Sequence, residues 1–289
     1  MPVMVTHAQS AAGRAAVRAL RRSGGELRVW LDAEVATDDD AAAFRGLGCK
    51  VAVGAMDDEG RLEVAFEQVH TVVHVGGDPL QEPETVLDDA ASVLSAAISA
   101  GCRRLVWPSH IGAGDPRGNA YLEVCAEVED LLAEAPIETI VLRRALTYGP
   151  EDPLTGLLVS GAPTEAMGAR PTARHEPLYV EDLAAAIVSA DAMDRGPRRG
   201  APAAADGLQV VVELVGPEVV RLEDLVRILG GPIGADPRRS RRARAAGDTR
   251  TTPGPAPAHL VDLLSRDLLG AEGALGRGGT PLAVGAASL

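Results

Sequence analysis

A chain of 289 residues, 46% hydrophobic and 24% charged, has room for one large α/β domain or a core with a small companion, and the profile of a soluble globular protein. Its net charge of −13 repels phosphate backbones and argues against nucleic acid as a partner of the whole protein. No apolar run approaches the roughly 18–20 residues of a membrane helix, so no membrane partner is expected.

Aromatics make up only 2%, which leaves the core to Ala, Val and Leu. Short apolar runs at 3–6, 27–31, 50–53, 71–75, 104–107 and 139–142 read as strands buried on both faces. Between them, 13–22, 39–47, 60–68, 83–100 and 121–133 read as helices, several closed by glycine: Gly24 and Gly25, Gly48, Gly101. Six such alternations imply a parallel, doubly wound α/β sheet.

After Gly149 and Pro150 the rhythm loosens. A strand is expected at 178–180, a helix at 181–190, a strand at 208–215, and helices at 222–229 and 258–269. Residues 192–207 read as an exposed connector, and 232–258 as a long mobile loop. That loop carries RRSRRAR at 238–244, read as a solvated run against the overall negative charge. The domain expectation is a core over 1–150 and a smaller region over 151–289 packed on it. Cys49, Cys102 and Cys125 lie far apart with no CxxC pair. That is neither a disulfide framework nor a zinc site, and it fits free thiols in a reducing cytoplasm. The chain opens on a strand, so no signal peptide is expected ahead of the fold.

The motifs, in order, are VMVT with THAQSAAG, VAVGAMDDEGRL, TVVHVGG, RRLVWPSHIGA, AYLEVCAEVEDLL, IVLRRALTYGP and LYVEDLAAAI. They resemble, in turn, the TGxxGxxG loop, the GDLxD turn, the VVHLAG strand, the RxVxxSSxGA strand, the YxxxK helix, the LRPxxxYGP strand and the VxDxA motif. These belong to the short-chain dehydrogenase/reductase superfamily, in its atypical extended type: NmrA-like and NAD-dependent epimerase/dehydratase-like. The resemblance implies a Rossmann-like doubly wound parallel sheet with a small C-terminal substrate-side region.

Matched to that family, the loop glycines fall on His7, Ser10 and Gly13, and only the last is kept. A dinucleotide loop uses its glycines for a tight turn, a close approach to the pyrophosphate, and helix packing on the strand. His7 places a Cβ where a left-handed turn is required, a conformation costly but open to His. Ser10 puts a side chain where the pyrophosphate would lie, although its hydroxyl and the helix N-terminus suit an anion. Asp32, closing the second strand, would accept from the adenosine ribose and select NAD over NADP. The adenine-contacting acid falls on Ala55, with Asp57 and Asp58 following as helix caps, while Gly76 and Gly77 keep a close backbone approach after the fourth strand.

For catalysis the resemblance implies Tyr121 as acid/base, with a Lys four residues on. That position is Cys125, neutral near pH 7 and unable to lower the phenol's pKa. The motif's serines fall on Ser109 and His110; His110 titrates near neutrality and is the alternative acid/base. His70 and His74 flank the fourth strand, and His74 is read as packed. Three functions follow from these residues. One is a divergent, redox-silent pseudoenzyme that binds a small ligand or nucleotide, taking NAD(H) weakly and no metal. A second is an NAD-dependent oxidoreductase or epimerase with an altered site. The third is a cofactor-independent enzyme using the same cleft. The expected partner is a small molecule, and a homo-oligomer or a protein partner stays open.

Overall fold

The computed structural model describes residues 1–159, 168–193, 209–230, 256–276 and 278–287. The RRSRRAR run at 238–244 lies outside them, as do most of the 192–207 connector and of the 232–258 loop.

The first half alternates strand and helix without interruption. It runs β1 (Val3–Thr6), α1 (Ala11–Ser23), β2 (Leu27–Asp32), α2 (Asp38–Gly46), β3 (Lys50–Gly54), α3 (Glu59–Phe66), β4 (Thr71–His74), α4 (Pro83–Ser99), β5 (Arg104–Trp107), α5 (Ala120–Ala133) and β6 (Glu138–Arg144). Strands β1, β4 and β5 are buried at every residue, which is why each is a continuous apolar run rather than an alternating one. The helix ends follow local chemistry. Thr37 and Asp40 close a capping box on α2, Pro83 opens α4, and Gly24, Gly48 and Gly101 take positive φ just past helix ends.

The second half adds β7 (Thr147–Tyr148), α6 (Pro153–Val159), β8 (Arg174–His175), β9 (Leu178–Tyr179), α7 (Val180–Asp191), β10 (Gln209–Leu214), β11 (Val220–Arg221), α8 (Leu222–Gly230), α9 (Ala258–Leu264) and α10 (Leu282–Ala286). Helix α9 stops at its C-cap Ser265, short of the expected 269, because Leu268 leaves to bridge His175.

Seven strands form one parallel sheet in the order β10-β6-β5-β4-β1-β2-β3. This is the expected Rossmann-like doubly wound sheet, with the order reversing between β1 and β4. Strand β10 pairs with β6 from Gln209↔Thr139 to Leu214↔Arg144, and α7 packs Val180 and Ala184 on Ala15 and Ala19 of α1. Residues beyond 150 thus complete the central sheet and one of its helical layers. The main apolar core runs from Val3 to Ala286, with Trp30 and Trp107 fully buried in it, beside the smaller cluster of Ala15, Ala19, Val180 and Ala184. The three cysteines are free and buried. Among the described residues no helix is long and apolar enough to cross a membrane.

Candidate functional site

The C-terminal strand ends open on a cavity of about 300 Å³, walled by His7 and Ser10 after β1, Val35 after β2, Gly76 after β4, and Arg144 and Asp152 at and beyond the end of β6. This is the crevice where open α/β sheets bind ligands, and its volume is at the small end of the usual range, roughly 300–1,000 Å³.

The β1–α1 loop keeps one glycine and reworks two. His7 takes the left-handed conformation at φ 49, the conformation expected of the family's first glycine, and the Ser10 amide donates to its carbonyl at 3.0 Å. The His7 ring is fixed by Nε2 against Asp89 Oδ2 at 3.1 Å. Ser10 is the N-cap of α1, and its hydroxyl accepts from the Gly13 amide at 3.0 Å. The hydroxyl is therefore turned to its own helix. Gly13 is the packing glycine: a Cβ there would lie 2.5 Å from the His7 carbonyl oxygen. Ala11 and Ala12, the first two helical residues, line the cavity, and their amides have no acceptor among the described residues. This end of the site fits the phosphates of a dinucleotide, with one helix N-terminus and two idle amides.

Other expected contacts sit differently. Asp32 Oδ1 accepts from the Glu34 amide, and neither Asp32 nor Ala55 belongs to the cavity wall. Asp58 caps α3, as expected. Gly76 makes room for a protein side chain: a Cβ there would lie 2.6 Å from the buried His74 ring. His74 itself is packed, as read, with Nδ1 on Thr6 Oγ1 at 2.8 Å, and burial holds its pKa well below the ordinary value. Gly77 takes φ 88, and Gln81 Oε1 accepts from the Gly77 and Asp78 amides, pinning the turn after β4.

The three expected catalytic residues are brought together, but away from the cavity. Tyr121, Ser109 and His110 are all 0% exposed, and none lines its wall. The Tyr121 hydroxyl donates to the Gly77 carbonyl at 2.8 Å, and burial, with Cys125 against it, pushes its pKa well above the ordinary phenol value. Cys125 does sit one turn along the same face of α5, in hydrogen-bond contact with Tyr121 and Ser109, and burial pushes its thiol up to about 12. Ser109 donates to Glu129 Oε1 at 2.6 Å, and that carboxylate is paired with Arg143. His110 lies edge-on to Tyr121, ring centroids 5.8 Å apart. Its Nδ1–H donates to the Ile111 carbonyl at 2.6 Å, and burial followed by Arg144 pulls its pKa down to about 3. The ring is therefore neutral at physiological pH rather than poised to titrate, a correction to the expectation from its reference pKa.

Helix α9 seals this cluster. His259 stacks on Tyr121 at 6.2 Å and donates from Nε2 to the Pro79 carbonyl at 3.0 Å. Asn119, the N-cap of α5, donates to the His259 carbonyl and to Asp262.

Two groups went unread in the sequence. Arg144 stands where the LRPxxxYGP motif has proline, and Asp152 follows its YGP. Arg144 is 8% exposed and donates to the Gly77 carbonyl and to Thr147 Oγ1. Asp152 is half-buried, its Oδ2 accepting from the Thr155 amide and hydroxyl. Burial, then the charge of Asp78, raises its pKa to about 6, against the pull of Thr155 and Arg144.

That rise has a cost with a definite sign. The folded pKa lies above the unfolded value of about 3.9, so the fold disfavours the ionised carboxyl. The penalty is absent below about pH 4, grows as pH rises to about 6, and reaches about 2–3 kcal/mol above that. Asp152→Asn is therefore expected to stabilise the protein by about that amount at pH 8 and to leave it unchanged near pH 4. Urea denaturation at the two pH values checks this; equal gains at both would mean the carboxyl is not strained.

The fold is shared with nucleotide-sugar enzymes. UDP-glucose 4-epimerase from Thermus thermophilus, solved with NAD, is 18% identical, with 80% of this chain and 84% of that chain covered and a TM-score of 0.60. The dTDP-glucose 4,6-dehydratase DesIV from Streptomyces venezuelae, also solved with NAD, is 17% identical over 82% and 83%, at 0.63. The protein gox2253 matches over 99% of this chain and 97% of its own, at 17% identity and 0.65. No curated protein matches the sequence. The profile of a family described as NAD(P)H-binding matches residues 8–190, well over half of the chain. By that match the chain belongs to the NAD(P)H-binding family.

Proposed function

We propose that this chain is a redox-silent member of its family, a cytoplasmic protein that holds a small ligand or a nucleotide weakly in the strand-end cavity. The observation that carries the reading is the state of Tyr121: fully buried, committed to the Gly77 carbonyl, sealed under His259, with a neutral thiol where the family's lysine would be. A bound nicotinamide supplies a hydride acceptor or donor. The chain's own part would be to move a proton at the substrate oxygen, and a buried phenol with a raised pKa that does not line the cavity is poorly placed to do that. The idle amides of Ala11 and Ala12 support retained phosphate binding. His7 and Ser10 support weak binding, since both side chains are spent on internal contacts.

Calorimetric titration with NAD, NADH, NADP and NADPH tests the reading. A lost charge-assisted contact costs about 1.5–3 kcal/mol, and each 1.4 kcal/mol is about tenfold in affinity. Dissociation constants in the high micromolar range or weaker are expected, with NAD and NADH ahead because a 2′-phosphate would approach Asp32. No change in nicotinamide absorbance is expected with a panel of simple alcohols and carbonyls. Low-micromolar NAD affinity together with turnover would falsify the proposal.

One observation favours a second reading, cofactor-independent chemistry in the same cavity. Asp152 lines the wall, and its pKa of about 6 suits a general acid or base. On that reading any turnover is lost in Asp152→Asn and survives Tyr121→Phe.

A further inference from the structure

The wall of the cavity contains a cation that the fold does not satisfy. Arg144 is 92% buried by its 8% exposure, yet it forms no ion pair within 4.0 Å among the described residues. Of the five N–H donors of a guanidinium, two are used, on Gly77 O at 3.0 Å and Thr147 Oγ1 at 3.2 Å. The other three have no acceptor among the described residues. A buried charge held only by neutral acceptors is expensive, and a site that tolerates the cost is built for an anion. The position sharpens this. Arg144 replaces the proline of LRPxxxYGP, so a side chain with a charge stands where the motif has neither.

Its place in the groove selects the part of the ligand it would meet. An acid at the end of β2 belongs to the adenosine ribose, and the loop after β1 to the pyrophosphate. Arg144, at the end of β6, therefore faces the far end, where a dinucleotide carries its pyridine ring. We infer that this end of the cavity recognises a carboxylate: the ligand bears a planar carboxylate, rather than a neutral carboxamide, against the idle face of the Arg144 guanidinium. This deepens the proposed function and rests on the same cavity.

A guanidinium fork takes a carboxylate or a phosphate alike in two parallel hydrogen bonds, so the neighbouring acid decides for the anion of lower charge. The other wall of the cavity holds Asp152, a carboxyl that accepts one more negative charge nearby only when it carries its own proton. The titratable and charged groups facing Asp152 are Asp78 and Arg144 and, across the cavity, His7 paired with Asp89. Its neighbour Glu151 turns to Arg14. Burial and Asp78 keep part of the Asp152 population protonated near neutrality.

The test compares nicotinic acid adenine dinucleotide with NAD, which differ only by carboxylate against carboxamide on the ring. Calorimetry at pH 6.5 is expected to give at least about tenfold tighter binding of the acid form. Arg144→Gln should abolish that preference, and Arg144→Lys, which keeps the charge and loses the fork, should retain part of it. At pH 8, where the parent carboxyl is ionised, Asp152→Asn should strengthen binding of the acid form at least about threefold more than it changes binding of NAD. If both dinucleotides bind the parent protein equally, the inference fails and the proposed function stands. If neither binds, dinucleotide binding fails, and nicotinate against nicotinamide, followed by NMR line broadening, decides the inference alone: nicotinate binding lost in Arg144→Gln supports it, and no nicotinate binding overturns it. Where Arg144→Gln does not fold, the Asp152→Asn comparison at pH 8 decides, and no gain for the acid form there overturns it.

Discussion

Cys125→Lys is expected to cost the protein about 3–5 kcal/mol, the range for an uncompensated buried charge. The substitution restores the family's Tyr–Lys spacing in sequence, so on motif logic it should revive chemistry. The surroundings say otherwise. Cys125 is 0% exposed, and the polar side chains in contact with it are Tyr121 and Ser109, neither of which carries a charge. The charges of Arg144 and Glu129 act at this position with opposite sign, and the Glu129 carboxylate is already committed to Arg143 and Ser109, so a new ammonium would compete for it rather than find a free partner. The extra length of lysine also overfills a closed region, a further cost of about 1–3 kcal/mol where the core does not relax. Urea denaturation reads the loss. Tyrosine absorbance against pH reads the geometry, because a surviving ammonium beside Tyr121 lowers the phenol's pKa in a way that Tyr121→Phe removes. A variant as stable as the parent, with hydride transfer restored, would show that the missing lysine alone silences the site.

Gly13→Ala is the second large effect. The added Cβ would lie 2.5 Å from the His7 carbonyl oxygen, 2.7 Å from Ala8 Cα and 2.8 Å from the Ala8 carbonyl oxygen. All three are backbone atoms, and His7 already holds an uncommon left-handed conformation. Overpacking of this kind costs about 1–3 kcal/mol. The same displacement moves the start of α1, and with it the Ala11 and Ala12 amides, so dinucleotide affinity should fall by about tenfold or more. Gly46→Ala is the control. Nothing lies within 4 Å of a Cβ at that position in α2, and the change should be neutral or stabilise by up to about 1 kcal/mol. Equal stability of the Gly13 and Gly46 variants would mean the loop yields freely.

The sheet was legible because its central strands β1, β4 and β5 are buried at every residue and its marginal strands β3 and β10, though partly exposed, still carry runs of valine. The two-residue strands β7, β8 and β11 carry too few side chains to show a period, and α6 was hidden behind the Gly149 and Pro150 turn signal. In the site, the loop was readable one residue at a time. The left-handed His7 and the packing role of Gly13 follow from laying the loop against the glycine pattern of the family it resembles, and both are observed. What could not be read was set by partners far along the chain. Tyr121 is closed off by His259, and Gly76 is required by the ring of His74 rather than by an open groove. The Arg144 signal was present as a broken motif, a proline position occupied by arginine, and it gains meaning only once the cavity behind it is seen.

The pairing of β10 with β6 bears on where this chain can be divided. A piece ending at residue 150 would keep the loop, the cavity floor and six of the seven sheet strands, and would look complete as a nucleotide fold. It would also bare the whole outer margin of β6, whose sequence ETIVLRR is apolar at its centre, with an unpaired row of amides and carbonyls beside it. Such a margin is a template for pairing with another chain, and natural proteins guard it with charges, bulges or a covering segment. Here the guard is β10 itself, with Glu213 near its end and Val211 half-exposed on its face. The C-terminal region is therefore a protective selvedge: by supplying β10 it covers the margin of β6 from which a parallel sheet could grow between molecules.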